Sequence, residues 1–290
     1  MRSKALIQAA VALVIGLVLG LAGSYGGESV GGVRLFFAFV VLAFVVQWAV
    51  YIPSYISQTE HYFDLTGSLT YQLLALLGIM LTNSRDARTI ILAVMIAVWA
   101  VRLGLFLFRR VRAAGKDGRF DKLKTDWALF LMTWTLQGLW ISFTAAAALA
   151  AMTSGDKQGL GIVGVIGIVV WAIGFGIEII ADAQKSTWRA QPGNESKFIT
   201  VGLWAWSRHP NYFGEFLLWV GVAILALPAL AGWQYVTLLS PLFVYLLLNK
   251  ASGVPMLEKR ADTKWGGQPA YEAYKSQTPV FFPRPPRSAT

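Results

Sequence analysis

The sequence predicts an all-α, polytopic membrane bundle of about seven to eight transmembrane helices. Three observations carry that prediction. Of 290 residues, 56% are hydrophobic and only 14% are charged, against about 25% charged in an average soluble domain. Apolar runs near the roughly 20 residues that a membrane-crossing helix needs recur along the chain. Basic residues gather in alternate loops between those runs.

The runs are Ala5–Ala22, Leu35–Ile56, Leu65–Leu81, Ile90–Phe108, Trp127–Met152, Leu160–Ile180, Tyr212–Leu227 and Leu230–Leu248. The first follows Arg2 and Lys4 as a signal peptide would. No A-x-A site ends it, so it is expected to be an uncleaved span. It carries Gly16-x-x-x-Gly20, a helix-packing spacing that simple composition also explains. The last two runs are split at Pro228 and are expected to form a tight helical hairpin. Gly23–Gly32 is expected to be a flexible loop, and Phe282-Pro-Arg-Pro-Pro a frayed terminus. The organisation is a single membrane domain, with N-terminal spans over 1–60 and a catalytic region over 61–285.

Orientation follows from Lys and Arg. With eight spans, one side holds the N-terminus, Ser57–Asp64, Arg109–Asp126, Ala181–Asn211 and the tail from Asn249. That side collects 20 of the 25 basic residues. The other has Arg34, Arg85, Arg88 and Lys157, and Arg102 lies inside a span. The basic side is expected to be cytoplasmic, with both termini on it. The net charge of +10 is thus a matter of topology and anionic ligands, with no nucleic acid implied.

Composition also removes chemistry. With no cysteine there is no disulfide, thiolate nucleophile or zinc-thiolate site. With two histidines, His61 and His209, a histidine-rich metal cluster is excluded, and no metal is expected.

Ionisable residues within spans are costly and are usually paired or functional. Arg102, Glu178, Glu215 and Asp64 lie within or at the ends of spans. Glu178 and Asp182 are four apart and share a helix face, as do Asn211 and Glu215. Lys185 and Arg189 extend the stripe from Asp182. Two readings stay open. Arg112, Lys122, Lys124 and Arg260 are explained by the positive-inside rule alone, and Glu178 with Asp182 by pairing to Arg102 or Arg208. Alternatively, arginines hold phosphates, carboxylates accept from ribose hydroxyls, and aromatic rings stack on a flat ligand. There is no G-x-G-x-x-G, so a nucleotide would be bound without a Rossmann fold.

The stretch Gly202-Leu-Trp-Ala-Trp-Ser-Arg-His-Pro-Asn-Tyr-Phe-Gly-Glu215 resembles the C-terminal signature of the steroid 5-alpha-reductase family and its bacterial membrane branch. Glu178-Ile-Ile-Ala-Asp-Ala-Gln-Lys185, Pro192-Gly-Asn-Glu195, the Arg102–Phe120 segment and a tail running from Glu258 through Tyr271 and Tyr274 to Phe282-Pro283 resemble it too. The resemblance covers roughly residues 90–285. It implies a helical membrane reductase that takes NADPH and gives a hydride to a carbon–carbon double bond of a steroid-like or other lipid, conjugated to a ketone. It implies a bacterial inner membrane and a cofactor site on the cytoplasmic side. Carried over position by position, it implies NADPH contacts at Arg109, Arg110, Asp117, Arg119, Glu178, Asp182, Lys185, Arg189, Asn194, Arg208, His209, Asn211, Tyr212 and Glu215. It implies that the arginines meet phosphates and that Asn211 and Glu215 hold the nicotinamide end. Family members grip a ketone with an N-terminal glutamate and a tyrosine. Here Asp64 stands in the corresponding place, with Tyr71 seven residues on; Asp64 as a helix cap is the competing reading.

Isoprenylcysteine and phospholipid methyltransferases share the Arg-His-Pro-x-Tyr-x-Gly core and an acidic tail, so an S-adenosylmethionine-dependent methyltransferase is the alternative. Asn211, Glu215, the arginine-rich loop and the lone Glu258 followed by Lys259 favour the reductase. Sterol ring-double-bond reductases are a nearer relative and would keep NADPH. A transporter would want polar residues in the outer halves of its spans, which are nearly free of charge.

Overall fold

The computed structural model describes residues 2–83, 85–114, 117–156 and 158–286, without the side chains of 110–114. The described chain is helical, with a single two-stranded hairpin. Among the described residues seven helices are long and apolar enough to cross a membrane. An eighth span is reached if the pair Trp127–Thr144 and Ala146–Met152, bent by 57°, counts as one. The chain is an integral membrane protein.

It divides into two compact units. The first comprises residues 1–164 and 222–240, the second 165–221 and 241–290.

In the first unit α1 (Arg2–Gly23) and α2 (Leu35–Ile56) pack on α5 (Trp127–Thr144), and α3 (Phe63–Leu81) packs on α4 (Ala87–Ala114). Lipid tails are as apolar as leucine, so close fit and interhelical hydrogen bonds hold such helices together. Small residues make the fit. A Cβ on Gly16 would stand 2.6 Å from the Phe44 ring, and one on Gly67 equally close to the Gln137 amide. The Gly16/Gly20 spacing is therefore a packing device. Gln47 donates to Thr70 Oγ1 at 2.9 Å and Trp48 to Thr135 Oγ1 at 3.0 Å. The alanine-rich α6 (Ala146–Met152) is wholly buried. Arg88 is buried as well, its guanidinium spread over the carbonyls of Leu225, Gly159 and Leu160.

Gly23–Gly32 differs from the expected flexible loop. It leads into a hairpin of β1 (Ser29–Val30) and β2 (Val33–Arg34). Gly31 and Gly32 take φ of 58° and 81°, the double left-handed turn that matches strand twist. Gly27 also bridges to Ser154.

The second unit is built on a close approach of α7 (Gly161–Ala190) and α8 (Pro210–Ala226). A Cβ on Gly174 would strike the Leu218 amide, one on Gly221 the Trp171 amide, and one on Gly214 would stand 2.6 Å from the Glu178 nitrogen. Glycines at 214 and 221, seven apart, keep the seam bare for two turns. The stretch beyond α8 was expected as one apolar helix. It is instead 3-10 over Gly232–Leu239, α9 (Ser240–Leu246), a π turn over Leu247–Ala251 and α10 (Val254–Trp265). The expected run Leu230–Leu248 is therefore 3-10 in its first half, and a π turn closes it. The last helix is α11 (Pro269–Gln277).

Candidate functional site

In the second unit the bare seam decides where the polar residues go. Gly214 lies on the Glu178 backbone, which brings the first turns of α8 beside the late turns of α7. Asn211 donates from Nδ2 to Asp182 Oδ1 at 3.2 Å. Glu178 and Glu215 are both buried, at 3% and 8% exposure. The two four-residue spacings thus meet: Glu178 and Asp182 on one helix, Asn211 and Glu215 on the other.

The segment before α8 is shaped by its neighbours. Gly202, at φ +63°, opens a 3-10 turn whose Leu203 amide donates to Gln184 Oε1 at 2.9 Å. Trp204 donates its indole N–H to Ala181 O at 3.0 Å, and Lys185 Nζ sits 4.3 Å above the Trp204 ring, a cation–π contact. Pro210 begins α8, where a missing N–H costs nothing. The end from Phe282, expected to fray, is tied down at Arg284, as is the stretch from Pro279 before it. The Arg208 N–H donates to Pro279 O, the Arg284 N–H to Trp206 O, and Ser207 Oγ to Phe281 O. Phe281 is buried among Phe213, Phe216 and Tyr245.

Arg208 and His209 both hang on Glu258. Arg208 Nη2 lies 3.1 Å from Oε2, and His209 Nε2 lies 2.8 Å from Oε1. The His209 ring stacks on Tyr212 at 5.7 Å. Burial pushes the imidazole below its ordinary pKa. The Glu258 carboxylate opposes that, and Lys185 and Arg208 add to it. In this pair of residues three buried atoms have no hydrogen-bond partner among the described residues: Arg208 Nε, Arg208 Nη1 and His209 Nδ1. Buried polar groups are nearly always paired, so these atoms point to a ligand. Sequence reasoning placed Glu258 in the tail but gave it no role. Its pairing with residues 49 and 50 positions earlier leaves no local signal.

Other expected residues in this unit hold structure together. Asn194 donates from Nδ2 to Trp188 O and Gln191 Oε1, closing the turn after α7. Arg189 is exposed in the last turn of α7. Tyr274 donates to Trp204 O at 2.7 Å, and Tyr271 to Asp262 Oδ1 at 3.0 Å. Burial raises both phenols, and at Tyr271 the Asp262 carboxylate adds to the effect.

The first unit gathers a second polar cluster. Arg119 forks onto Asp117, with Nη2 at 2.5 Å and Nε at 2.8 Å from Oδ2, and lies 4.0 Å from Asp64 Oδ2. Glu60 accepts from Lys124 Nζ at 2.5 Å and from the Asp117 N–H at 3.0 Å. Burial alone would raise the Glu60 carboxyl, but these two bonds outweigh it and hold it below the ordinary carboxylate range. Glu60 too was missed. Asp64 stands in the first turn of α3, while the capping position itself is Tyr62. Tyr71 is buried edge-on to Trp99 at 5.0 Å. Seven residues place it on the Asp64 face, about 10 Å further along the helix. Arg109 is exposed near the end of α4. The Arg110 side chain, with Gly115 and Lys116, lies outside the described residues.

No solved structure matches the chain. Uncharacterized protein C594.04c of Schizosaccharomyces pombe is 23% identical over 232 residues, a match covering 70% of this chain. The chain spans 65% of that relative's own length. The family described as "Protein of unknown function (DUF1295)" matches residues 35–278, from α2 to beyond α11. The chain belongs to the DUF1295 family.

Proposed function

We propose that this protein is an NADPH-dependent membrane oxidoreductase that reduces a carbon–carbon double bond, conjugated to a ketone, in a steroid-like or other lipid. The observation that carries the reading is the buried Arg208 edge, with Nε and Nη1 unpartnered, in the same unit as the Asn211–Asp182 bond and the buried Glu178 and Glu215. The donor set fits a dinucleotide. A guanidinium fork takes phosphate or carbonyl oxygens. Carboxylates accept from ribose hydroxyls or an amine, and Tyr212 offers a flat ring.

NADPH, when bound, supplies the hydride. Arg208, His209, Asn211, Tyr212 and Glu215 orient it, with Glu178, Asp182 and Lys185 beside them. Asp64 with Tyr71 is the pair proposed to polarise the substrate ketone as enolate charge develops, by the logic of an oxyanion hole. The lipid arrives from the bilayer. The charge asymmetry supports an inner-membrane location with the basic side and both termini in the cytoplasm.

The test is ligand selectivity. Titrating the detergent-purified protein with NADPH, NADH and S-adenosylmethionine, followed by tryptophan fluorescence, should give selective NADPH binding. Selective S-adenosylmethionine binding would replace the reductase by a membrane methyltransferase.

A further inference from the structure

We infer that Glu258 is a positioning residue that fixes His209 as the Nε2–H tautomer, so that the corner it forms with Arg208 offers a ligand two donors and one acceptor. This deepens the reading of that corner as a cofactor site, and its test separates the two.

The argument begins with the carboxylate. Oε2 takes the Arg208 Nη2 N–H at 3.1 Å, and Oε1 faces His209 Nε2 at 2.8 Å. A carboxylate only accepts, so the proton of that second bond belongs to Nε2. Burial favours the neutral ring, and a neutral imidazole carries one N–H only. Nδ1 is then a bare lone pair. It is buried and has no donor among the described residues. The charged groups acting on the ring are Glu258, Lys185 and Arg208, with Tyr212 stacked on its face.

The remaining Arg208 nitrogens, Nε and Nη1, are the donors. The complement is a ligand group with an acceptor oxygen next to an N–H or O–H, such as a primary carboxamide or a sugar hydroxyl beside a phosphate. An ion with acceptors only leaves Nδ1 unmatched or faces its lone pair with another lone pair. A phosphate with no remaining O–H, such as a diester, is the wrong partner at the histidine, however well it suits the arginine. The corner therefore reads the polar group of a nucleotide at which donor and acceptor adjoin, while one glutamate on α10 sets the polarity of both neighbours.

Two histidines in 290 residues make this directly measurable. The full chain is labelled with ¹⁵N-histidine in detergent, with His61→Gln to assign the spectrum. The expected wild-type pattern is a pyrrole-type Nε2 and a pyridine-type Nδ1. Glu258→Ala should move both resonances towards their average. Glu258→Gln, whose carbonyl oxygen still accepts, should restore the wild-type pattern. An Nδ1–H tautomer in the wild type overturns the inference, and so does an unchanged pattern in Glu258→Ala. If the alanine variant does not fold, the wild-type spectrum alone decides. NADPH should shift Nδ1 and inorganic sulfate, which carries acceptors only, should not; a sulfate shift at Nδ1 counts against the inference. Failure of NADPH to bind a protein with the expected tautomer removes the cofactor reading and leaves the positioning role standing.

Discussion

Gly214 rests its bare Cα against the backbone of Glu178, so closely that a methyl group there would lie 2.6 Å from the Glu178 nitrogen. Two helices thereby touch at the level where four polar residues meet. The glycine is a condition for the constellation, since any side chain would push α8 off α7 and draw Asn211 away from Asp182.

Gly214→Ala should therefore destabilise the protein by about 1–3 kcal/mol, the usual cost of overpacking a close contact. The measurement is thermal unfolding in detergent. Gly176→Ala, where a Cβ meets nothing within 4 Å, serves as the control on the facing helix α7 and should be nearly neutral. Equal melting temperatures for the two variants would refute the seam.

Arg208→Ala should weaken NADPH binding by about 10- to 100-fold, the range for losing charge-assisted hydrogen bonds. Arg208→Lys should recover little of this, because an ammonium cannot present Nε and Nη1 as a fork while also meeting Glu258. Full affinity in the lysine variant would show that charge alone matters.

The Glu60 carboxyl is held below its ordinary range in the folded protein. A lowered folded pKa contributes stability that is present above the unfolded value and is lost as pH falls through the folded one. The melting temperature of the wild type should therefore fall as the medium is acidified below the ordinary carboxylate range. Glu60→Gln should flatten that part of the curve, and parallel curves would exclude Glu60 as the source. Lys124→Met should be worse than Glu60→Gln at neutral pH, because it strands a buried carboxylate.

Asp64→Asn and Tyr71→Phe should slow reduction of a conjugated enone lipid and leave NADPH affinity within about twofold, as expected when an interaction made only in the transition state is removed. Turnover equal to wild type in both would leave Asp64 as the partner of Arg119 and Tyr71 as a packing residue against Trp99.

The spans and the two four-residue spacings were legible because helices write their period locally. Glu178 with Asp182 and Asn211 with Glu215 could be paired on a face from the sequence alone. What could not be read is non-local. Glu258 meets Arg208 and His209 across about fifty residues, and Glu60 meets Lys124 across sixty-four. The bend at Ala145 sits inside an unbroken apolar run. The proline-rich end looked frayed because its partners are the backbone groups of 206 and 208 and one serine hydroxyl at 207, which together have no residue-type signature. The glycine-rich loop looked mobile because glycine marks a left-handed turn and a flexible linker alike.

The attachment of residues 279–284 to 206–208 has a consequence for the order of synthesis. Ser207 bonds chain made 73 and 74 residues later. Every membrane-crossing helix ends by residue 265, so all of them are translated before the strand that pins Arg208 exists. The corner that carries Arg208 and His209 is thus completed by the last stretch of chain to be made, and a protein truncated after residue 278 would hold every described span yet leave that corner unfinished.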